Sequence, residues 1–299
     1  LVALISTLEN SQMKKTLIAM AAVAVAGVAS AQNYTISGAM GFGIQDSTDQ
    51  ARELSWTDGK VTFAASEDLG GGMSVSGSST LAFSDHGGTA TGDGSSLSIA
   101  GGFGKLTYAT VGADADKLGV ASLPYSTNNV FGNTTTNYAY TQFDLPTLVD
   151  GLTAGVRWAG AAGDVDVTSI VEQYRLTYVS GPATVSFNTK TGSSEVMASF
   201  DFGIAKVSAF TDTKRAETED SSMKRREFSV AVPVSSELTV SASMASRPDF
   251  TAGQPKHKGT EFNATYALSK RTSVSVNYGT FTTGGTDKTA NRIKLVHAF

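Results

Sequence analysis

From Gln32 to Phe299 apolar side chains recur at every second position and scarcely at all at helical spacing. A period of two restricts the chain to strands with two unlike faces. The first run, Tyr34 to Ile44, sets Tyr34, Ile36, Met40, Phe42 and Ile44 on one face and only small residues on the other. Fifteen further runs follow: Val61–Ala65 as the core of the second, then Met73–Phe83, Ser95–Gly101, Lys105–Val111, Asn137–Phe143, Leu152–Trp158 and Ile170–Tyr178. The remainder are Ala183–Lys190, Glu195–Phe202, Ala205–Asp212, Arg225–Val234, Leu238–Arg247, Glu261–Leu268, Ser273–Phe281 and Asn291–Phe299. Composition explains what fills the second face. Charged residues are 17% and hydrophobic residues 40%, both below the roughly 25% and 45–50% of soluble domains, because Ser, Thr and Gly take the space.

The connections alternate in length. Short links occur at Asp68–Gly72, Gly102–Gly104, Pro146–Gly151, Ser180–Pro182, Gly203–Ile204, Ser235–Glu237 and Ser269–Thr272. Those between them, such as Ser84–Gly94, Lys214–Lys224 and Pro248–Thr260, are generally longer and more polar. An even number of antiparallel strands, with short turns at one end and long loops at the other, predicts an all-β, 16-stranded antiparallel transmembrane barrel. A soluble β-sandwich shows no such two-sided asymmetry and turns its apolar face inward. The polar face here is mostly Ser, Thr, Gly and Asn, with thinly spread charge, which suits a water-filled lumen. Trp56, Tyr138, Trp158, Tyr174, Tyr178, Phe200, Phe202, Phe262, Tyr266, Tyr278 and Phe299 fall near strand ends, where aromatic girdles meet the membrane surface.

The first 31 residues do not follow this pattern. Met13-Lys14-Lys15 gives a basic start, Leu17 to Ala29 a 13-residue apolar stretch, and Ala29-Ser30-Ala31 a small-x-small cleavage site. Residues 13–31 are therefore expected to be a signal peptide, residues 1–12 an upstream extension, and 32–299 a single barrel domain. A 13-residue apolar stretch is too short for a membrane-spanning helix. With no Cys, disulfides, thiol nucleophiles and Cys-ligated zinc are excluded. A net charge of −4 argues against nucleic acid as a partner.

Several segments carry a family resemblance. Tyr266-Ala267-Leu268-Ser269-Lys270-Arg271-Thr272, followed by the alternating Val274-Ser275-Val276-Asn277-Tyr278, resembles the penultimate turn of the general diffusion porins of Gram-negative outer membranes, of the β-proteobacterial type. Glu67-Asp68-Leu69-Gly70-Gly71-Gly72 and Phe103-Gly104-Lys105-Leu106 resemble that family's first two periplasmic turns, and Ile293 to Phe299 its closing strand, with His297 where an aromatic is common. The resemblance implies a homotrimer embedded in outer-membrane lipid, passing small solutes and ions. It also implies that the terminal Phe299 is read by the barrel-assembly machinery.

About sixteen strands leave an aqueous channel, where eight would fill themselves with side chains. Lumen charge then sets ion preference. Counting alternate positions from the apolar residues places Arg157, Arg175, Lys190, Arg225, Arg247, Arg292 and Lys294 inside, with Gln173 and the acids Glu195, Asp201, Glu227 and Glu261. The long Gly112–Thr136 segment, carrying Asp114, Asp116 and Lys117, resembles in position the family's third loop, which folds inward and narrows the lumen. A loop that long inside a compact fold is uncommon without a function. Seven bases against four strand acids, or six with Asp114 and Asp116, predict a weakly anion-selective pore. No cofactor or metal is expected. His86, His257 and His297 are expected in two loops and at the C-terminus, so a shared metal site or Ser-His-Asp grouping would require a coincidence of folding. An outer-membrane barrel enzyme of lipase or protease type, and a plugged structural or adhesive barrel, remain as alternatives.

Overall fold

The computed structural model describes residues 32–48, 50–83, 90–111, 138–147, 149–161, 171–190, 193–215, 222–247, 257–283 and 285–299. The upstream segment, the expected signal peptide and the Gly112–Thr136 loop with Asp114 and Asp116 lie outside these residues. Sixteen strands are present: β1 Gln32–Ser47, β2 Gln50–Gly70, β3 Met73–Phe83, β4 Ala90–Gly101, β5 Gly104–Val111, β6 Tyr138–Asp144, β7 Leu152–Ala161 and β8 Val171–Ser180. They continue as β9 Ala183–Lys190, β10 Ser193–Asp201, β11 Lys206–Arg215, β12 Ser222–Pro233, β13 Leu238–Arg247, β14 His257–Ala267, β15 Thr272–Thr283 and β16 Thr286–Ala298. Each pairs antiparallel with its sequence neighbours, and β1 pairs with β16, so the sheet is a closed barrel.

Burial is inverted relative to a soluble domain. Gln173 and Ser229 are each 3% exposed, whereas Ile36 is 64% and Phe262 55% exposed. Among the described residues only Ala109, Met197 and Ala245 are buried hydrophobics. The polar side chains therefore crowd the concave face, and the apolar ones form the outer wall, as a barrel dissolved in lipid requires. Hydroxyl pairs link neighbouring strands along the inner face: Thr62 with Thr80 at 2.8 Å, Ser78 with Ser96 at 2.9 Å, Ser98 with Thr107 at 3.0 Å and Thr177 with Ser186 at 2.9 Å. Cross-strand pairs of this kind are a unit of sheet stabilisation.

The girdle aromatics Tyr174, Tyr178, Phe200, Phe202, Phe262, Tyr266, Tyr278 and Phe299 are exposed on the outer side, whereas Trp158 is half-buried. The side chains of Trp56 and Tyr138 lie outside the described residues. At the outer surface of β7 and β8, Glu172 accepts hydrogen bonds from Trp158 Nε1 at 3.3 Å and from Tyr174 Oη at 2.8 Å.

The two ends of the barrel differ less cleanly than expected. The predicted short turns are present, and Gly70, Gly71 and Gly72 all adopt positive φ there, a conformation open to glycine at no steric cost. At the opposite end, however, β1–β2, β9–β10 and β15–β16 are joined by two residues each, 48–49, 191–192 and 284–285. β1 and β2, of 16 and 21 residues, and β15 and β16, of 12 and 13, keep pairing beyond the apolar band until two residues remain between them. For the same reason β2 begins at Gln50 rather than near Val61, since backbone pairing continues where lipid-facing side chains have ended. His257 also belongs to β14, buried, rather than to a loop.

Closure depends on one contact between the chain ends. Gly38 donates to the Phe299 carbonyl at 3.0 Å and accepts from the Phe299 amide at 3.0 Å. A Cβ at Gly38 would stand 2.7 Å from the Phe299 ring and collide with the Lys60 carbonyl. Glycine at this position lets the terminal ring lie flat across the seam. Gly38→Val should destabilise the folded barrel by about 1–3 kcal/mol, the usual cost of overpacking, and lower the fraction of heat-modifiable protein in gel-shift and urea-unfolding assays. An unchanged urea midpoint would show that the seam tolerates a side chain there.

Candidate functional site: the charged inner wall

The strand register fixes which charges share the inner face. In one row across the sheet Gln142 opposes Arg157, Arg157 opposes Gln173, and Gln173 opposes Lys190. In the adjacent row Asp144, Gly155, Arg175, Asn188, Glu195, Asp212 and Arg225 follow one another from β6 to β12. Arg157, Arg175 and Lys190 thus stand on three consecutive strands, with acids on the strands to either side.

Arg157, Arg175, Arg225 and Lys294 are held by specific partners. Arg157 is 8% exposed, donates from Nε and Nη2 to Gln142 Oε1 at 3.0 and 2.8 Å, and lies 3.9 Å above the Tyr140 ring, a cation–π geometry. Gln142 is fixed in turn, its amide nitrogen donating to both oxygens of Asp144 at 2.8 Å. Arg175 pairs with Asp144 at 3.1 Å. Arg225 lies between Asp212 and Glu227, each at 3.5 Å, and over the Phe210 ring at 4.7 Å. Lys294 pairs with Asp58 at 3.1 Å, and Lys60 with Asp93. Arg292 shares the inner row with Asn277 and Gln45. Arg247 opposes His257 in register, but its side chain lies outside the described residues.

Three of these ion pairs skip a strand. Asp144 on β6 reaches Arg175 on β8 across Gly155 of β7, where a Cβ would come within 2.6 Å of Asp144 Oδ1. Lys294 on β16 reaches Asp58 on β2 across β1, whose register partners there are Gly43 and Gly41. Lys60 on β2 reaches Asp93 on β4 past Ala82 of β3. Adjacent strands are about 4.8 Å apart, so next-neighbour pairs span about 10 Å. Long bases cover that distance only if the intervening inward residue is small.

The alternation count therefore identified the inward bases whose side chains are described, but it missed inward acids. Asp58, Asp93, Asp144 and Asp212 all face the lumen, as does Lys60, and the register sets Lys105 opposite Asp144 and Lys206 opposite Asp201 on the same face, so the inner wall carries more bases and more acids than the seven and four counted from sequence. The prediction of β6 stopped one residue before Asp144, and that of β2 omitted Asp58 and Lys60. Asp212 could have been found by the same alternation that placed its neighbours. Nothing in a period-two pattern signals Tyr140, Phe210 or Met197, which are apolar or aromatic side chains turned inward. Among the described residues no group of His, Asp and Glu has metal-binding geometry. His297 lies on the outer side, its Nδ1 2.9 Å from Thr272 Oγ1.

Comparison with known proteins fits this geometry. The family model described as Gram-negative porin matches residues 17–286. No protein of curated function matches the chain in sequence. Among solved structures, the anion-selective porin from Comamonas acidovorans superposes with a TM-score of 0.71 at 18% identity, over 90% of this chain and 100% of that one. The trimer form of OmpT from Vibrio cholerae gives a TM-score of 0.70 at 12% identity, over 90% and 100%. OmpF of Salmonella typhi, in complex with daunomycin, gives 0.69 at 13%, over 89% and 97%. At these identities the likeness is one of fold. Taken with the family match, the closed barrel and its hydrated charged interior establish that this chain belongs to the Gram-negative porin family, forming an outer-membrane channel through which small hydrophilic solutes diffuse.

Proposed function

We propose that this channel is weakly anion-selective, with Arg157, Arg175 and Lys190 forming the basic patch that solutes meet. The supporting observation is their placement on three consecutive strands of one wall, with Arg157 held by Gln142 and Tyr140 and Arg175 by Asp144. The acids interleaved with these bases, Asp144 beside Arg175 and Glu195 further along the same row, keep the preference weak, since an ion responds to charge within about a Debye length, roughly 8 Å at physiological salt. Arg225 and Lys294, each paired with carboxylates, and Arg292 line the remaining wall. Arg247, Asp114 and Asp116 belong to the same reading as candidate pore residues, the side chain of the first and the loop of the other two lying outside the described residues. The anion-selective Comamonas protein shares the fold and agrees with this reading.

The same reading covers export and assembly. Residues 13–31 act as the signal peptide and residues 32–299 form the barrel, a division supported by the basic start, apolar stretch and small-x-small site of residues 13–31. The chain works as a homotrimer in lipid, consistent with the trimeric form of the Vibrio OmpT fold, and carries no catalytic activity. The wall serines serve as hydrated lining, consistent with their pairing in hydroxyl ladders. Phe299 is the residue that the barrel-assembly machinery reads.

Reversal potentials in a salt gradient across a planar bilayer test the selectivity. Wild type should show a small anion preference. Arg157→Ala or Arg175→Ala should move the permeability ratio toward cations by about twofold, because one charge at close range is worth about 1 kcal/mol in water before screening. Asp144→Asn should move it the other way, and all three shifts should shrink as salt rises. Strong cation selectivity in wild type, or no response to any of the three substitutions, contradicts the assignment. Deleting Phe299 should lower the amount of heat-modifiable protein recovered from the outer membrane. Normal recovery of the deletion variant would remove Phe299 as the assembly signal.

A further inference from the structure

Among the bases of the inner wall, Arg292 has distinctive surroundings. Arg175, Arg225, Lys60 and Lys294 each have a carboxylate within 3.5 Å. Arg292, the central residue of β16, makes no hydrogen bond or ion pair among the described residues. Its register neighbours are carboxamides on both sides, Asn277 on β15 and Gln45 on β1. Each amide is oriented by an acid on its far side: Asn277 Nδ2 donates to Glu261 Oε1 of β14 at 3.2 Å, and Gln45 Nε2 donates to Glu53 Oε1 of β2. An ionised carboxylate only accepts, so the nitrogen of each amide must face the acid. The amide oxygens are left for a donor from the lumen, and neither has a hydrogen-bond partner among the described residues. Five strands in succession, β14 to β16 and then β1 and β2, thus present acid, amide, guanidinium, amide and acid.

Space for a solute lies beside the guanidinium. Asn277, Arg292 and Gln45 are half-buried, so all three reach the lumen. The next inward residues toward the exterior are Gly279 on β15 and Ala290 on β16, and a Cβ built at Gly279 would meet nothing closer than the Thr260 carbonyl at 3.6 Å. Toward the other end the inward residue of β1 is Gly43, and Lys294 is drawn across it to Asp58 at 3.1 Å. Arg292 is therefore the base that this part of the wall offers to a solute. Glu53 and Glu261 oppose an anion, but they stand on strands about 10 Å from β16, whereas a bound carboxylate touches the guanidinium at about 3 Å. Coulombic attraction falls with distance and is screened beyond roughly 8 Å. Contact wins for a single charge, while a second negative charge on the same solute would meet one of the two acids.

We propose that Arg292, Asn277 and Gln45 form a transient binding site for polyhydroxy monocarboxylates, the class of the sugar acids, with the carboxylate on the guanidinium fork and hydroxyl groups donating to the two amide oxygens. A guanidinium matches a carboxylate in bidentate fashion, and a hydroxyl supplies the single donor that each amide oxygen lacks. The site lies half the ring of sixteen strands away from Arg175 on β8, so it is independent of the ion preference assigned to that wall. Block of the chloride current by added solute tests it, read as the half-blocking concentration from current noise in a planar bilayer at constant ionic strength. Sodium D-gluconate is the probe. D-glucose keeps the hydroxyls without the charge, and acetate keeps the charge without the hydroxyls. Gluconate should block at a concentration about tenfold lower than either, the scale of one charge-assisted hydrogen bond. Arg292→Gln should raise the gluconate value to that of glucose, and Arg292→Lys should restore it only in part, because the fork is lost. Gln45→Ala with Asn277→Ala should move it toward the acetate value. D-glucarate, which adds a second carboxylate, should block less strongly than gluconate. Heat-modifiability confirms that each variant is folded. Equal block by gluconate and glucose, acetate as effective as gluconate, undiminished gluconate block in Arg292→Gln, or stronger block by glucarate would overturn the proposal.

Discussion

A backbone in hydrocarbon has no water to satisfy its amides and carbonyls, so every strand must have a partner on both sides. That constraint explains why the chain closes on itself and why its two ends meet. Gly38 and Phe299 exchange two backbone hydrogen bonds, and Ala298 donates to the Arg271 carbonyl beside them. The last residue completes the ladder that the first strand begins. A barrel closed in this way has no edge strand to offer for aggregation.

Closure then dictates how charge can be arranged inside. In a soluble core, burying ten or more ionisable groups would be prohibitive without pairing. Here they line a hydrated space but remain organised, because short residues on one strand let bases on the next reach acids two strands away. Gly155, Gly41 with Gly43, and Ala82 have this role in three separate places. These residues matter for where Arg175, Lys294 and Lys60 point, not for turn geometry. The wall is thereby stiffened by contacts that run around the barrel, in addition to the backbone ladder.

The strand count and facing of this protein were legible in sequence because lipid imposes a strict rule on alternate residues. Met73–Phe83, Ala183–Lys190 and Leu238–Arg247 were placed to the residue. The rule lapses where strands rise beyond the lipid: Gln50–Lys60 is charged and irregular, yet it belongs to β2 and pairs with β1 through two register shifts. The missing acids of the inner wall follow from that lapse, since Asp58 and Asp93 lie in such extensions and Asp144 sits just past the last apolar residue of β6. The partners of each base were not legible at all. Asp144 and Arg175 are 31 positions apart and Lys294 and Asp58 are 236 apart, distances that only the register converts into contact.

The most direct test of the inverted barrel uses the absence of cysteine from the chain, so that each variant carries a single thiol. Ser186→Cys, Ser229→Cys and Ser275→Cys should react with a charged, membrane-impermeant thiosulfonate when the folded protein is embedded in bilayers. Their immediate neighbours Val185→Cys, Phe228→Cys and Val276→Cys should be shielded by lipid and remain unmodified. Reaction at the second set with protection of the first, or equal reaction at both, would contradict a polar lumen enclosed by an apolar outer wall.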